Sequence, residues 1–115
     1  MDIIPIKPVR FVGSSLEDLR SFPKEARREA GFELDAVQRG RDPSDWKPMK
    51  TVGPGVREIR LHAEGEHRVV YIAKFEDAIY VLHAFRKKTQ KTRARDLELA
   101  QRRLQLVKQE RSTHR

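Results

Sequence analysis

Arginine, histidine and phenylalanine recur along the β-rich part of the sequence, at Arg60, His62, Arg68, His83 and Phe85. Arginine holds a phosphate through two parallel hydrogen bonds, imidazole titrates close to neutral pH, and an aromatic ring stacks on an unpaired base. The three residues that follow, 86–88, are all basic. Brought together on one surface, these residue types are suited to binding an RNA phosphodiester.

Cleavage of RNA by its own 2′-hydroxyl would require three functions. The hydroxyl must be deprotonated, the charge on the phosphate stabilised, and the departing 5′-oxygen protonated. The chain has no cysteine, and its four histidines, at positions 62, 67, 83 and 114, form no helical metal-binding pair. We therefore expect no metal and no cofactor, so that side chains must supply all three functions.

Three β-rich segments, 56–63, 67–75 and 78–85, must position these residues. Gly65 marks the first turn and Glu76-Asp77 the second, which predicts an antiparallel meander. We expect Leu61 to pair with Val69 and Ile59 with Tyr71 in the first hairpin. In the second hairpin we expect Arg68 to pair with Phe85, Val70 with His83 and Ile72 with Val81. One face is then apolar, and the other collects the residues that could do chemistry: Glu58, Arg60, His62, Arg68, His83 and Phe85.

The remaining segments complete an α+β fold of order β-α-α-β-β-β-α, in one domain over residues 1–115. A short strand precedes Gly13, two helices follow from Ser14 and Pro23, and residues 41–55 are expected to form a loop. A basic helix begins at Arg93. We predict a twisted antiparallel sheet with both N-terminal helices on one face and a single core of Ala30, Leu34, Ile59, Leu61, Val69, Tyr71 and Leu82.

The positive charge is concentrated at one end of the chain. Residues 1–85 contain equal numbers of basic and acidic residues, whereas residues 86–115 contain 11 Lys and Arg against 3 Asp and Glu, which accounts for the whole net charge of +8. Such a distribution indicates a polyanionic or acidic partner, although a basic end can also serve only solubility. No apolar run is long enough to span a membrane and no signal peptide is evident, so we expect a cytoplasmic protein without membrane contact.

A purely structural interpretation of the two central residues is also open. His83 could be an ordinary buried histidine, and Arg68 could pair with Glu58 or Glu66. Against this, a charged residue in mid-strand on a wholly buried face costs several kcal/mol unless it is paired. A cationic cleft would explain Arg68 at lower cost, and would leave it with little role in folding.

Longer stretches resemble a known family: WKPMK at 46–50, VREIRL at 56–61, RVVYI at 68–72 and VLHAFRKKTQKT at 81–92. Over nearly its whole length the chain resembles the HigB-like, phage-derived branch of the RelE/ParE toxin superfamily. The most specific part is the strand that ends in His83-Ala84-Phe85 with the lysine-rich segment and basic helix that follow it.

The resemblance implies a RelE-like fold and the toxin of a type II toxin-antitoxin pair, commonly a ribosome-dependent, metal-independent endonuclease that cuts mRNA. It also implies the ribosome, mRNA and a cognate helix-turn-helix, HigA-like antitoxin as partners. Arg68 matches the family's phosphate-contacting arginine, and Lys87 falls where a second phosphate-stabilising or proton-donating base lies. With the residue types above, this gives RNA- or ribosome-binding candidates at Lys47, Lys50, Arg60, Phe85, Arg86, Lys88 and Lys91.

One departure from the family concerns the general base. RelE has a tyrosine early in its C-terminal helix, whereas this chain has no tyrosine after Tyr80. His83, or a lysine with a lowered pKa, is then the candidate to accept the 2′-hydroxyl proton. Two other functions stay open: a ParE-like poison of DNA gyrase, and a basic module that binds nucleic acid or protein without catalysis.

Overall fold

The computed structural model describes residues 6–113, so His114 lies outside the described residues. Their α+β arrangement confirms the predicted fold class, with one additional short strand. Within this part of the chain, no helix has the length and apolar character needed to cross a membrane. The elements are β1 (Val9–Phe11), α1 (Ser15–Arg20), α2 (Lys24–Gln38), β2 (Trp46–Pro48), β3 (Val56–Leu61), β4 (His67–Ile72), β5 (Ile79–Arg86) and α3 (Ala94–Thr113).

The five strands form one sheet in the order β1-β5-β4-β3-β2. β2 to β5 pair antiparallel with their neighbours, while β1 runs parallel to β5. The prediction that 41–55 contains no regular element is wrong, because Trp46–Pro48 pairs with β3. β2 is an edge strand, and its last residue is a proline, which an edge tolerates because no further partner needs its missing N–H group.

The α2 helix has the predicted start and the predicted packing. It follows Pro23 directly, and the chain leaves it at Gly40, whose φ of 80° is a left-handed conformation typical of a helix terminus. Ala26 and Ala30 are fully buried in the core that α1 and α2 form on one face of the sheet. Small side chains there let the helix approach the strands closely.

The predicted register of the β3–β4 hairpin is wrong, and that of the β4–β5 hairpin is confirmed in part. Ile59 pairs with Val69 and Leu61 with His67, two residues away from the expected pairing. An even shift leaves every side chain on its predicted face, because side chains alternate with a period of two. Between β4 and β5 the predicted pairs Arg68–Phe85 and Val70–His83 are confirmed. The register then changes at Val70/Tyr71, so that Ile72 pairs with Tyr80 rather than Val81.

The apolar residues form two cores, one on each side of the sheet, because α1 and α2 cover one face and α3 covers the other. Tyr71 and Val81 pack with α1 and α2, whereas Tyr80 and Leu82 face α3 and pack with Leu104. The prediction of a single core that includes Leu82 is therefore wrong. A local change of register reverses the facing of all residues on one side of it, and nothing in the apolar pattern of β5 marks the position.

A buried arginine ties α3 to the rest of the molecule. Arg103 Nη1 donates to the backbone oxygen of Leu82 at 2.9 Å, and Nη2 donates to Ser14 Oγ at 2.9 Å. Gly13 lies directly under the guanidinium with a φ of 57°, and a Cβ there would stand 2.8 Å from Arg103 Nε. The position therefore requires glycine for both its conformation and its lack of a side chain.

Two glycine substitutions should have opposite effects on stability. Gly13→Ala should lower the free energy of unfolding by about 1–3 kcal/mol, because of backbone strain and the displaced arginine. Gly31→Ala is the matched control, since Gly31 lies in α2 with no atom within 4 Å of the added methyl. It should stabilise by about 0.5–1 kcal/mol. Chemical denaturation measures both, and a neutral Gly13→Ala would contradict the packing around Arg103.

Candidate functional site

Two rows of polar side chains lie next to each other on the sheet face that also carries α3. The first row crosses the sheet from β2 to β5 and consists of Lys47, Glu58, Val70 and His83. The second row crosses from β3 to β5 and consists of Arg60, Arg68 and Phe85. Residues paired across neighbouring strands point to the same face. The predicted grouping of Arg60, Arg68, His83 and Phe85 with Glu58 on one face is thus found. His62, which was predicted on the same face, lies beyond the end of β3.

Glu58 is the centre of this group and is fully buried. Its Oε1 lies 3.4 Å from Arg68 Nε and 3.7 Å from Arg60 Nε, and neither carboxylate oxygen has a hydrogen-bond partner within the described part of the chain. A buried carboxylate is costly unless cations compensate it. The two arginines supply that compensation without taking up all of its hydrogen-bonding capacity.

Arg68 is itself only 5% exposed. Besides Glu58, its guanidinium contacts Glu66, with 3.0 Å between Nη2 and Oε1, and Nη1 donates to the backbone oxygen of His67 at 2.9 Å. The expectation of a freely accessible arginine in an open cationic cleft needs correction, because both carboxylates considered as alternative partners are in place. The arginine is held rigidly by buried structure.

Lys87 extends the cationic group beyond the end of β5. It is half-buried, and its backbone N–H donates to the backbone oxygen of Glu66 at 2.8 Å. Burial lowers the pKa of its ammonium, and the nearby charge of Arg68, with those of Lys47 and Arg60, lowers it further, while Glu58 partly opposes them. We call Lys47, Arg60, Arg68 and Lys87 the cationic cluster. A lysine of lowered pKa transfers its proton more readily near neutral pH.

His83 is buried and engaged at one ring nitrogen. Nε2 lies 2.8 Å from Asp96 Oδ1, and the ring stacks on Phe85 with 4.9 Å between centroids. Nδ1 is buried and has no hydrogen-bond partner among residues 6–113. Sequence reasoning missed Asp96, which lies in the first turn of α3. An acidic residue there is commonplace because it favours the helix dipole, so its type and position gave no signal.

A second polar network borders the cationic cluster. His62 Nδ1 lies 2.7 Å from Glu66 Oε2, and His62 Nε2 lies 2.7 Å from Asp45 Oδ2. The contact with Glu66, followed by that with Asp45, raises the pKa of His62, and His62 in turn lowers the pKa of Glu66. Asp45, His62, Glu66 and Arg68 therefore form a continuous chain of contacts at the edge of the cluster.

The other predicted binding residues lie apart from the cluster. Arg86 pairs with His67, whose ring packs on Phe22 on the opposite face of the sheet. Lys50, Lys88 and Lys91 are exposed in connecting segments. Within residues 6–113, no group of three or more histidine or carboxylate side chains is arranged to hold a metal ion.

The site thus combines three chemical capacities on one rigid sheet. Arg60 and Arg68 can stabilise negative charge on a phosphate, Lys87 can exchange a proton, and His83 retains an unengaged ring nitrogen. The strands fix the relative positions of these groups, which is what electrostatic stabilisation of a transition state requires.

Comparisons with known proteins agree with this architecture. The family model described as phage-derived protein Gp49-like matches residues 17–105. A structure of a mutant of the E. coli toxin RelE in the free state is similar in fold, with a TM-score of 0.62 and 16% sequence identity, over 89% of this chain and 98% of that one. No curated protein sequence gives a significant match. The family match confirms the resemblance to a phage-derived family, and the shared fold confirms the expected RelE-like fold.

Opposite pKa shifts should distinguish two of the histidines. NMR titration should place the pKa of His62 above 6.5, because two carboxylates hold its cation, and that of His67 below 6.5, mainly because of burial. Since the pKa of His62 is raised on folding, its stabilising contribution is complete below pH 6.5 and is lost as pH rises through the folded-state pKa. Asp45→Asn should lower the pKa of His62 and leave that of His67 unchanged; an unshifted His62 would contradict the network.

Removal of Arg68 should destabilise the protein. Arg68→Ala leaves Glu58 buried without its nearest cation and should lower the free energy of unfolding by about 3–5 kcal/mol. Adding Glu58→Gln should recover part of this loss, which a double-mutant cycle measures. The matched control is Arg39→Ala, because Arg39 pairs with Asp35 at the surface. That change should cost at most about 1 kcal/mol. Equal losses in the two arginine variants would show that the burial of Arg68 has no energetic weight.

Proposed function

The chain belongs to the phage-derived Gp49-like family, and from that premise we propose that it is the toxin of a toxin-antitoxin pair that cuts mRNA on the ribosome. The observation that carries the proposal is the cationic cluster, in which a lysine of lowered pKa stands beside an arginine fixed on a strand. An endoribonuclease needs such a combination of charge stabilisation and proton transfer.

The proposed reaction is attack by the 2′-oxygen of the RNA on the adjacent phosphorus. The bond from phosphorus to the 5′-oxygen breaks, leaving a 2′,3′-cyclic phosphate and a 5′-hydroxyl. Arg68, with Arg60, stabilises the charge that develops on the phosphate. Lys87 donates a proton to the departing 5′-oxygen. His83 accepts the proton of the 2′-hydroxyl through Nδ1, which is buried in the free protein and must become accessible when RNA binds. No metal is required in this scheme.

RNA and ribosome binding is assigned to the surroundings of the cluster. Phe85 offers a ring on which a base can stack, and Lys47 adds charge from the neighbouring strand. The exposed bases of the 86–93 segment and α3 attract the polyanion from a distance. The cognate antitoxin, a helix-turn-helix protein in this proposal, neutralises the toxin in the cytoplasm.

A non-catalytic alternative is favoured by one specific observation. The guanidinium of Arg68 is already paired with two carboxylates, Glu58 and Glu66, so its charge is compensated before any ligand arrives. A basic binding module or a gyrase poison only binds its partner, whether a ribosome, a nucleic acid or a protein. Such a protein does not need an arginine whose charge is uncompensated. Detection of a cleaved product separates this alternative from the nuclease.

Single-turnover incubation with mRNA-programmed ribosomes tests the proposal. The wild-type protein should yield a fragment ending in a cyclic phosphate, and Lys87→Ala should lower the rate by roughly 100-fold, the usual effect of losing a general acid. Lys74→Ala is the control, because Lys74 is exposed and lies beyond the other end of β4; it should cleave at the wild-type rate. A wild-type protein that arrests growth without producing this fragment would overturn the nuclease assignment.

A further inference from the structure

The two carboxylates that contact Arg68 differ in accessibility. Glu58 is fully buried beneath the arginine, whereas the side chain of Glu66 is 45% exposed and makes the closer contact, 3.0 Å from Oε1 to Nη2. A carboxylate offers two anionic oxygens to a guanidinium in much the same way as a phosphate does. Glu66 therefore occupies the side of Arg68 from which a ligand phosphate would approach.

Several contacts hold Glu66 in this position. Its second carboxylate oxygen, Oε2, bonds His62, which Asp45 holds from the opposite side, and its backbone oxygen accepts the N–H of Lys87. The neighbouring cations also keep its pKa below the usual value, so the side chain stays anionic. The carboxylate is part of a constructed network, unlike a surface side chain that meets an arginine by chance.

We propose that Glu66 is an internal competitor for the phosphate position on Arg68, which a substrate phosphate must displace before it can bind. This inference rests on the proposed function, because it gives Arg68 the role of phosphate ligand. The displaced carboxylate keeps its contact with His62, so displacement breaks one ion pair and leaves the other intact.

Exchange of one anion for another on Arg68 brings little net gain by itself. A single phosphate therefore binds weakly, while an RNA strand adds contacts of further phosphates with Lys47, Arg60 and Lys87. The carboxylate lowers the affinity of every ligand that uses Arg68 by the same factor. At low concentration, only ligands whose phosphates also contact the other cations of the cluster then bind. Small phosphate compounds do not occupy Arg68 in the free protein.

The proposal predicts a gain of affinity from a single substitution. Glu66→Gln keeps the size of the side chain and removes the competing charge. Glu64→Gln is the matched control: Glu64 lies in the same turn, and its carboxylate accepts the backbone N–H of Glu25. Both variants lose one negative charge from the same region, so a general electrostatic effect would act on them alike.

The probe is a fluorescent 2′-O-methyl RNA pentanucleotide, whose blocked 2′-oxygen prevents cleavage, titrated by anisotropy at fixed ionic strength. Glu66→Gln should bind it about fivefold more tightly than wild type. The affinity of Glu66→Gln for inorganic phosphate, measured by NMR, should rise by the same factor. Glu64→Gln should change the affinity for either ligand by only a small part of that gain.

A further variant tests whether the gain in affinity depends on Arg68. Arg68→Lys retains a cation beside Glu58 but loses the planar fork, so Glu66→Gln in this background should give little or no improvement. Equal gains in Glu66→Gln and Glu64→Gln, or a gain independent of Arg68, would overturn the inference. Because the probe is not cleaved and no ribosome is present, this result is separate from the test of nuclease activity.

Discussion

Burial of the Glu58 carboxylate is the constraint on which the site depends. A fully buried anion in the middle of a strand requires cations close by, and these must lie on the same face of the sheet, either two residues along the same strand or on a neighbouring strand. Arg60 and Arg68 fill that requirement from β3 and β4. The positive residues that a phosphate would contact are thus held in place by a negative one beneath them, and their geometry is set before any ligand arrives.

The sheet face that carries Glu58 and α3 has two different functions along its length. At one end Val70, Ile72 and Leu82 form a core with α3, and at the other the sheet presents charge. His83 lies at the boundary, contacting Asp96 of α3 through one nitrogen and stacking on Phe85. The packed end provides the rigidity that the charged end needs, since Arg103 fixes α3 to β5 and to the start of α1.

The shared face of Arg68, His83 and Phe85 was predictable because strand alternation survives a register error of two residues. The position of Leu82 in the core beneath α3 was not predictable, because the register change at Val70/Tyr71 has no signature in the apolar pattern. Sequence reasoning named Glu58 and Glu66 as alternative partners of Arg68, whereas the structure uses both at once. Which ion pairs form depends on distances of a few ångströms, and residue types alone do not specify these.

The contact between Arg103 and Ser14 joins residues that lie 89 positions apart in the chain. The parallel pairing of β1 with β5 also joins distant segments, with Val9 opposite Ile79. Contacts of such long range form late and slow the folding of a domain. During synthesis, the core beneath α3 and the Asp96 contact of His83 cannot assemble until α3 has left the ribosome. A newly made molecule therefore completes this surface only after α3 has been translated.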